Sequence, residues 1–236
     1  MPSAPAVPVP SAARHGRIPL SVKLALTAFV GVLVPIYLAR YGATNFLYFC
    51  DCALLLTVVG VWSESALLIS MPAVGIIAVQ SLWIVDFLGH ALGLQVIGMT
   101  DYMFDPATPL YLRGLSLFHA WLPFLLLWLV HRLGYHPLAL PAWTLLGTVL
   151  MIISYACLPA PPAPAQHPLE PVNVNLVFGF SATRPQTAMP ASWYLLLLLA
   201  GMPLLCYLPT HAVLRWWCRP AAESAAAGGS AAEGGA

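Results

Sequence analysis

Apolar residues fill six long stretches of this chain, roughly Val22–Ala39, Thr44–Val61, Ala66–Leu88, Leu115–Val130, Pro141–Leu158 and Trp193–Leu214. Polar residues are confined mostly to the segments between them. A helix needs ~20 apolar residues to cross a hydrocarbon layer ~30 Å thick, and most of the stretches approach that length. Because no water reaches the middle of that layer, each stretch must satisfy its backbone internally, as an α-helix does. The pattern predicts an all-α, polytopic membrane bundle of about six transmembrane helices over residues 18–219. Residues 1–17, rich in Pro, Ala and Ser, and residues 220–236, rich in Ala, Gly and Ser, read as disordered tails without packing capacity. Arg14, Arg17 and Lys23 ahead of the first stretch resemble the start of a signal peptide. The apolar run is long for a signal, however, and no clean small-x-small site follows, which predicts an uncleaved first span.

Composition agrees with this class and removes others. The chain is 60% hydrophobic and 7% charged, whereas soluble domains carry about 25% charged residues. A formal net charge of +1 leaves no basic stripe to meet phosphates, so nucleic acid is excluded as a partner. The five cysteines form no CxxC, so neither a zinc ribbon nor a thioredoxin motif is available. No HExxH or comparable ligand spacing is present either, and no metal or other cofactor is expected.

Lys and Arg set the expected orientation. Arg14, Arg17, Lys23, Arg132, Arg215 and Arg219 fall on one side of a six-span bundle, against Arg40, Arg113 and Arg184 on the other. That bias predicts a multi-pass cell-membrane protein with both termini cytoplasmic. The long connections Gly89–Gly114 and Pro159–Ser192 then lie outside. Tryptophans near the proposed span ends read as an aromatic belt.

The residues that interrupt the apolar pattern are the candidates for chemistry. Asp51 lies in the outer half of the second stretch, where a carboxylate costs at least ~2.5–3.5 kcal/mol near a membrane's centre and has to find a partner. In a continuous helix Thr44, Tyr48 and Asp51 recur at i, i+4 and i+7, placing a hydroxyl, a phenol and a carboxyl on one face. A stripe of that kind also serves simply to hold helices together. His119, in Ser116-Leu117-Phe118-His119, falls at a depth comparable to Asp51 and is the candidate general base, with Asp51 to orient it. Thr44, Tyr48 and Ser116 are the candidate nucleophiles, and Asp86, Ser116, Asn173 and Asn175 the candidate substrate-binding residues. Asp86 and His90, and Asp101 and Asp105, form i, i+4 pairs on the same side. Several carboxylates and imidazoles on one side could coordinate a metal; the favoured reading is structural, an interfacial carboxylate at Asp86 and an Asp105-capped turn before Pro106. Asn173 and Asn175 point the same way in an extended segment, either toward a head group or to hold their loop closed.

Two of these segments resemble a known family. Phe46-Leu47-Tyr48-Phe49-Cys50-Asp51 is similar to the Phe-Leu-Thr-Phe-x-Asp stretch of the androgen-induced family of integral-membrane hydrolases. His119-Ala120-Trp121-Leu122-Pro123-Phe124-Leu125-Leu126 resembles that family's His-Thr-x-x-Leu-Pro-Phe-x-Leu pattern. The resemblance implies a six-span fold and cleavage of fatty-acid esters of hydroxy fatty acids by a Thr nucleophile with a His. His119 matches the family's His; Tyr48 stands at the position of its Thr, with Thr44 one turn earlier. The whole chain also resembles a group of bacterial multi-pass membrane proteins, a likeness that implies no activity. The expected function is therefore a lipid-directed hydrolase or acyltransferase, with membrane lipids as partners and an apolar acyl substrate. A small transporter with a proton path, or a membrane scaffold, is the alternative.

Overall fold

The computed structural model describes residues 18–94, 96–164, 171–181 and 184–218. Both tails, and with them Arg14, Arg17 and Arg219, lie outside the described residues. In chain order the elements are α1 (Leu20–Tyr41), a 3-10 turn (Ala43–Leu47), α2 (Phe49–Ser63) and α3 (Ala66–Ala91). Two short helices follow, α4 (Asp101–Phe104) and α5 (Leu110–Ser116), then α6 (Phe118–Leu133) and α7 (Ala139–Cys157). A 3-10 turn (Val174–Leu176) precedes the last stretch, made of α8 (Ala191–Gly201), a π-helical turn (Met202–Tyr207) and α9 (Leu208–Trp217). Among the described residues no strand forms.

Five helical stretches are long and apolar enough to cross a membrane: Leu20–Tyr41, Ala66–Ala91, Leu110–Leu133, Ala139–Cys157 and Ala191–Trp217. The second apolar run, Thr44–Val61, is not one helix. Gly42 closes α1 with φ +80°, and Tyr48 is extended at φ −61°, ψ 139° between the 3-10 turn and α2. At 1.5 Å per residue α2 spans only about 22 Å, so its first turn begins well inside the bundle. A polytopic helical bundle is therefore as expected, with a broken second span.

Local sequence explains the boundaries. The Ser65 hydroxyl accepts from Leu68 N at 3.3 Å and starts α3. Pro109 and Pro190 precede α5 and α8. Pro35, Pro72 and Pro123 lie inside helices, which membrane bundles tolerate because neighbours re-satisfy the freed backbone groups. Pro203 and Pro209 each remove a helical donor, and the segment around them winds as a π turn.

Helix α3 is the central post, packed against α2, α6, α7 and the last stretch. Its contact with α7 is close. A Cβ added at Gly75 would lie 1.7 Å from Cε2 of Trp143, so only glycine admits that buried indole. Leu24, Val32, Leu145 and Leu205 remain exposed on the outer faces, as expected of side chains meeting lipid rather than water. At one end of the bundle Lys23 pairs with Glu64 at 2.7 Å and joins α1 to the α2–α3 turn. The other end carries the long loops and the polar residues described next.

Candidate functional site

The break at Tyr48 redraws the expected Thr44–Tyr48–Asp51 face. Thr44 sits on the 3-10 turn, Tyr48 on extended backbone and Asp51 in the first turn of α2, so no continuous helical face joins them. Asn45 instead reaches the carboxylate, its Nδ2 donating to Asp51 Oδ2 at 3.1 Å, with Cys50 Sγ 3.9 Å from the same oxygen. Asp51 is only 3% exposed, and its Oδ1 has no hydrogen-bond partner. Tyr48 lies within electrostatic reach of both Asp51 and Tyr102.

Beside this pair runs a polar network drawn from five helices. The Tyr37 hydroxyl of α1 lies 3.1 Å from Ser116 Oγ of α5. The Tyr102 phenol of α4 lies close to the side chains of Ser116 and Trp83, the latter on α3. Burial pushes that phenol well above its ordinary range, so it is a neutral hydroxyl. Trp83 stacks on His119 of α6, ring centroids 5.2 Å apart. His119 Nδ1 lies 2.7 Å from the Ser116 carbonyl. A carbonyl only accepts, so Nδ1 carries the hydrogen and Nε2 keeps its lone pair. The orienting partner of the imidazole is therefore a backbone carbonyl, while the Asp51 carboxylate is turned to Asn45. Pro123 has no N–H, which releases the His119 carbonyl from its own intrahelical partner.

Asp86 anchors this layer from behind. Its Oδ1 accepts from Ile97 N at 2.6 Å and Gly98 N at 3.0 Å, and its Oδ2 from Thr100 N at 2.9 Å and Thr100 Oγ1 at 2.8 Å. Four donors on one carboxylate fix the loop that delivers Tyr102. Arg113 fastens the far side of α4, donating from Nε to the Thr108 carbonyl at 2.7 Å and from a terminal nitrogen to the Met103 carbonyl at 3.4 Å. His90 Nδ1 lies 3.3 Å from Asp101 Oδ1, and its ring stacks on Phe104. Asp105 accepts from Ala107 N at 2.9 Å, the turn expected before Pro106. Among the described residues, no three or more His, Cys, Asp or Glu side chains gather as a metal site.

The two asparagines differ in kind. Asn173 closes its own loop, donating to the Gly179 carbonyl at 2.7 Å and the Ser181 carbonyl at 3.0 Å and accepting from Phe178 N at 2.7 Å. Asn175 reaches across the molecule. Its Oδ1 accepts from Phe49 N at 3.0 Å and its Nδ2 donates to the Leu47 carbonyl at 2.9 Å. It thus supplies the cap that α2 lacks in its own sequence and holds the Tyr48 turn open.

Ser116 and His119 thus share one network, with Asp51 and Tyr48 beside it. Asp86, Asn173 and Asn175 hold its loops, and Thr44 stays on the neighbouring turn. Tyr37, Asn45, Trp83, Tyr102 and Arg113 are members that sequence reasoning passed over. Tyr37 had a signal, since a phenol inside an apolar run needs a partner; Tyr102 had none, because its place depends on how a loop folds back. Compared with protein-family models, curated proteins and solved structures, the chain matches none.

Proposed function

We propose that this integral membrane protein is a lipid-directed acyl-ester hydrolase or acyltransferase of the cell membrane, with His119 as its base. The observation that carries the reading is the fixed tautomer of His119, whose Nδ1–H on the Ser116 carbonyl leaves the lone pair on Nε2. Ser116, Tyr48 and Thr44 are the candidate nucleophiles, and Ser116 leads because it belongs to the same network. In the reaction the hydroxyl oxygen bonds to the acyl carbon while Nε2 takes its proton. The ester C–O bond then breaks and the departing alkoxide collects that proton. Water repeats the sequence to release the acid; a lipid alcohol in its place gives acyl transfer. The substrate enters laterally from the bilayer, and Asp86 and Asn175 act on it through the loops they hold, while Asn173 closes its own loop. The likeness of residues 46–51 and 119–126 to the androgen-induced hydrolases supports the same chemistry.

The test is labelling of the full chain in vesicles by a fluorophosphonate probe, together with hydrolysis of a panel of fatty-acyl esters. Labelling that is lost in Ser116→Ala, Tyr48→Phe or Thr44→Ala identifies the nucleophile. Neither labelling nor cleavage by the wild-type chain sinks the reading and leaves transport or scaffolding. Both termini are proposed to be cytoplasmic, on the Lys/Arg bias of six to three. Single cysteines placed at Ala107 and Glu64 of a cysteine-free variant then react with an impermeant maleimide from outside and inside, respectively; the reverse pattern inverts the topology.

A further inference from the structure

At the end of the bundle away from His119, α1 and α2 border an open cleft of about 420 Å³, lined by Ile18, Leu20, Lys23, Trp62, Ser63 and Glu64. That volume falls within the ~300–1,000 Å³ of small-molecule sites. Contacts between the two helices hold its walls. Lys23 Nζ donates to Glu64 Oε1 at 2.7 Å, the lysine side chain 13% exposed and the glutamate 29%. Trp62 Nε1 donates to Thr27 Oγ1 at 2.8 Å, which fixes the indole. The Lys23 ammonium stands 5.7 Å from the centroid of that ring.

The two walls carry opposite charge. Helix α1 starts at Leu20 with no acidic residue in its first turn, so the positive end of its dipole adds to the Lys23 ammonium. Helix α2 ends at Ser63, and the negative end of its dipole adjoins the Glu64 carboxylate. An ammonium has three donors and a carboxylate about four acceptor sites, so a ligand's charges can join this pair without breaking it. Leu20 and Leu24 of α1 and Val59 and Trp62 of α2 are exposed along the same helices. They give acyl chains an apolar surface, with an indole at the span end where lipid headgroups lie.

We propose that this cleft holds the headgroup of a phosphatidylethanolamine, a zwitterion set antiparallel to the Lys23–Glu64 pair. The phosphate accepts from the Lys23 ammonium, and the primary ammonium of the lipid donates to the Glu64 carboxylate. Each charge then meets its opposite, and the four sum to zero. The choice among phospholipids follows from the walls. A phosphatidylglycerol brings a phosphate for Lys23 but nothing positive for Glu64, and sets a net negative charge beside that carboxylate. A phosphatidylcholine brings a cation with no N–H to donate, and the Trp62 ring that suits such a cation already faces Lys23. The site shares no residue with the hydrolase reading, and no covalent bond forms or breaks in it.

Native mass spectrometry of the delipidated full chain in detergent tests it, with phosphatidylethanolamine, phosphatidylcholine and phosphatidylglycerol of matched acyl chains added in turn. The expected result is roughly tenfold tighter binding of phosphatidylethanolamine, the worth of one charge-assisted hydrogen bond. Glu64→Gln should bring that preference close to unity. This variant also weakens the tie between α1 and α2, so Lys23→Glu combined with Glu64→Lys is the second. It keeps the ion pair but turns both charges against a headgroup tethered through its phosphate, and it should lose the preference as well. Equal binding of the three lipids by the wild-type chain overturns the proposal. Equal binding of the ethanolamine and choline lipids does so too, because it removes the N–H donation, as does a preference that survives in either variant. Should the exchanged variant fail to insert, Glu64→Gln and the wild-type comparison decide.

Discussion

The hydroxyl groups of Tyr37 and Ser116 lie 3.1 Å apart across 79 residues of chain, and they bind α1 to the helix that leads into His119. Helix α1 otherwise buries few residues, so this contact gives it a part in the site. Tyr37→Phe removes one neutral hydrogen bond and should cost about 1 kcal/mol of stability, read as a small drop in the unfolding midpoint in detergent. Its larger expected effect is on Ser116, whose hydroxyl loses the phenol that holds it. Slower labelling of Ser116 at near-normal stability is the outcome that fits; unchanged labelling would separate Tyr37 from the chemistry.

His119→Ala should reduce acyl-ester turnover by ~10²–10⁴-fold, the usual contribution of a positioned base. Expression, insertion and helical content should stay near wild type, because the ring is held by stacking and one backbone contact and anchors no loop. His119→Gln keeps a donor for the Ser116 carbonyl but supplies no basic lone pair, so it should be as inactive as the alanine variant. Retention of activity in the glutamine variant alone would make His119 a positioning residue.

Asp86 gives a prediction of a different kind. Its carboxylate carries four hydrogen bonds from the 97–100 loop. Asp86→Ala strands those donors and should cost on the order of 3 kcal/mol. The loop between residues 92 and 100 should then open to added protease on the face carrying Tyr102. Asp86→Asn should open it less, since one oxygen still accepts. Full protease resistance in the alanine variant would mean that the loop is held by something else.

The bundle was legible because a bilayer leaves few ways to satisfy a backbone, and a run of apolar residues states which one is used. The break at Tyr48 was not. It depends on Asn175, 126 residues downstream of Phe49, and periodicity within one segment carries no trace of a cap donated by another. The assumption of an unbroken helix therefore chose Thr44 where the structure uses Asn45. The closeness of Tyr102 to Ser116 was hidden likewise, since the route of the 92–109 connection is set by Asp86 and Arg113.

The packing of α3 on α7 can be tested through size alone. Gly75→Ala drives a methyl group into the Trp143 ring and should destabilise the bundle by roughly 1–3 kcal/mol, the usual cost of overpacking. Trp143→Phe in the same chain makes room, so the double variant should recover part of the loss. The measurement is the unfolding midpoint of both single variants and the double; strict additivity would place the strain elsewhere.

Asn175 and Asn173 lie two residues apart in one loop, yet their substitutions should separate. Asn173→Ala releases Gly179 O, Ser181 O and Phe178 N, all within its own loop, so it should loosen that loop and spare the site. Asn175→Ala releases Phe49 N and Leu47 O on either side of Tyr48. The first turn of α2 then loses its cap, at about 1 kcal/mol by analogy with N-cap removal. Asp51, in that same turn, loses its fixed position against Asn45. Asn175→Ala should therefore reduce ester turnover, whereas Asn173→Ala leaves it near wild type. Asn175→Asp separates the two halves of the contact, because a carboxylate accepts from Phe49 N but cannot donate to Leu47 O unless protonated. Partial recovery of turnover in that variant assigns the effect to the cap; no recovery assigns it to the Leu47 carbonyl. Equal effects of Asn173→Ala and Asn175→Ala would remove the distinction and leave the loop as a single passive cover.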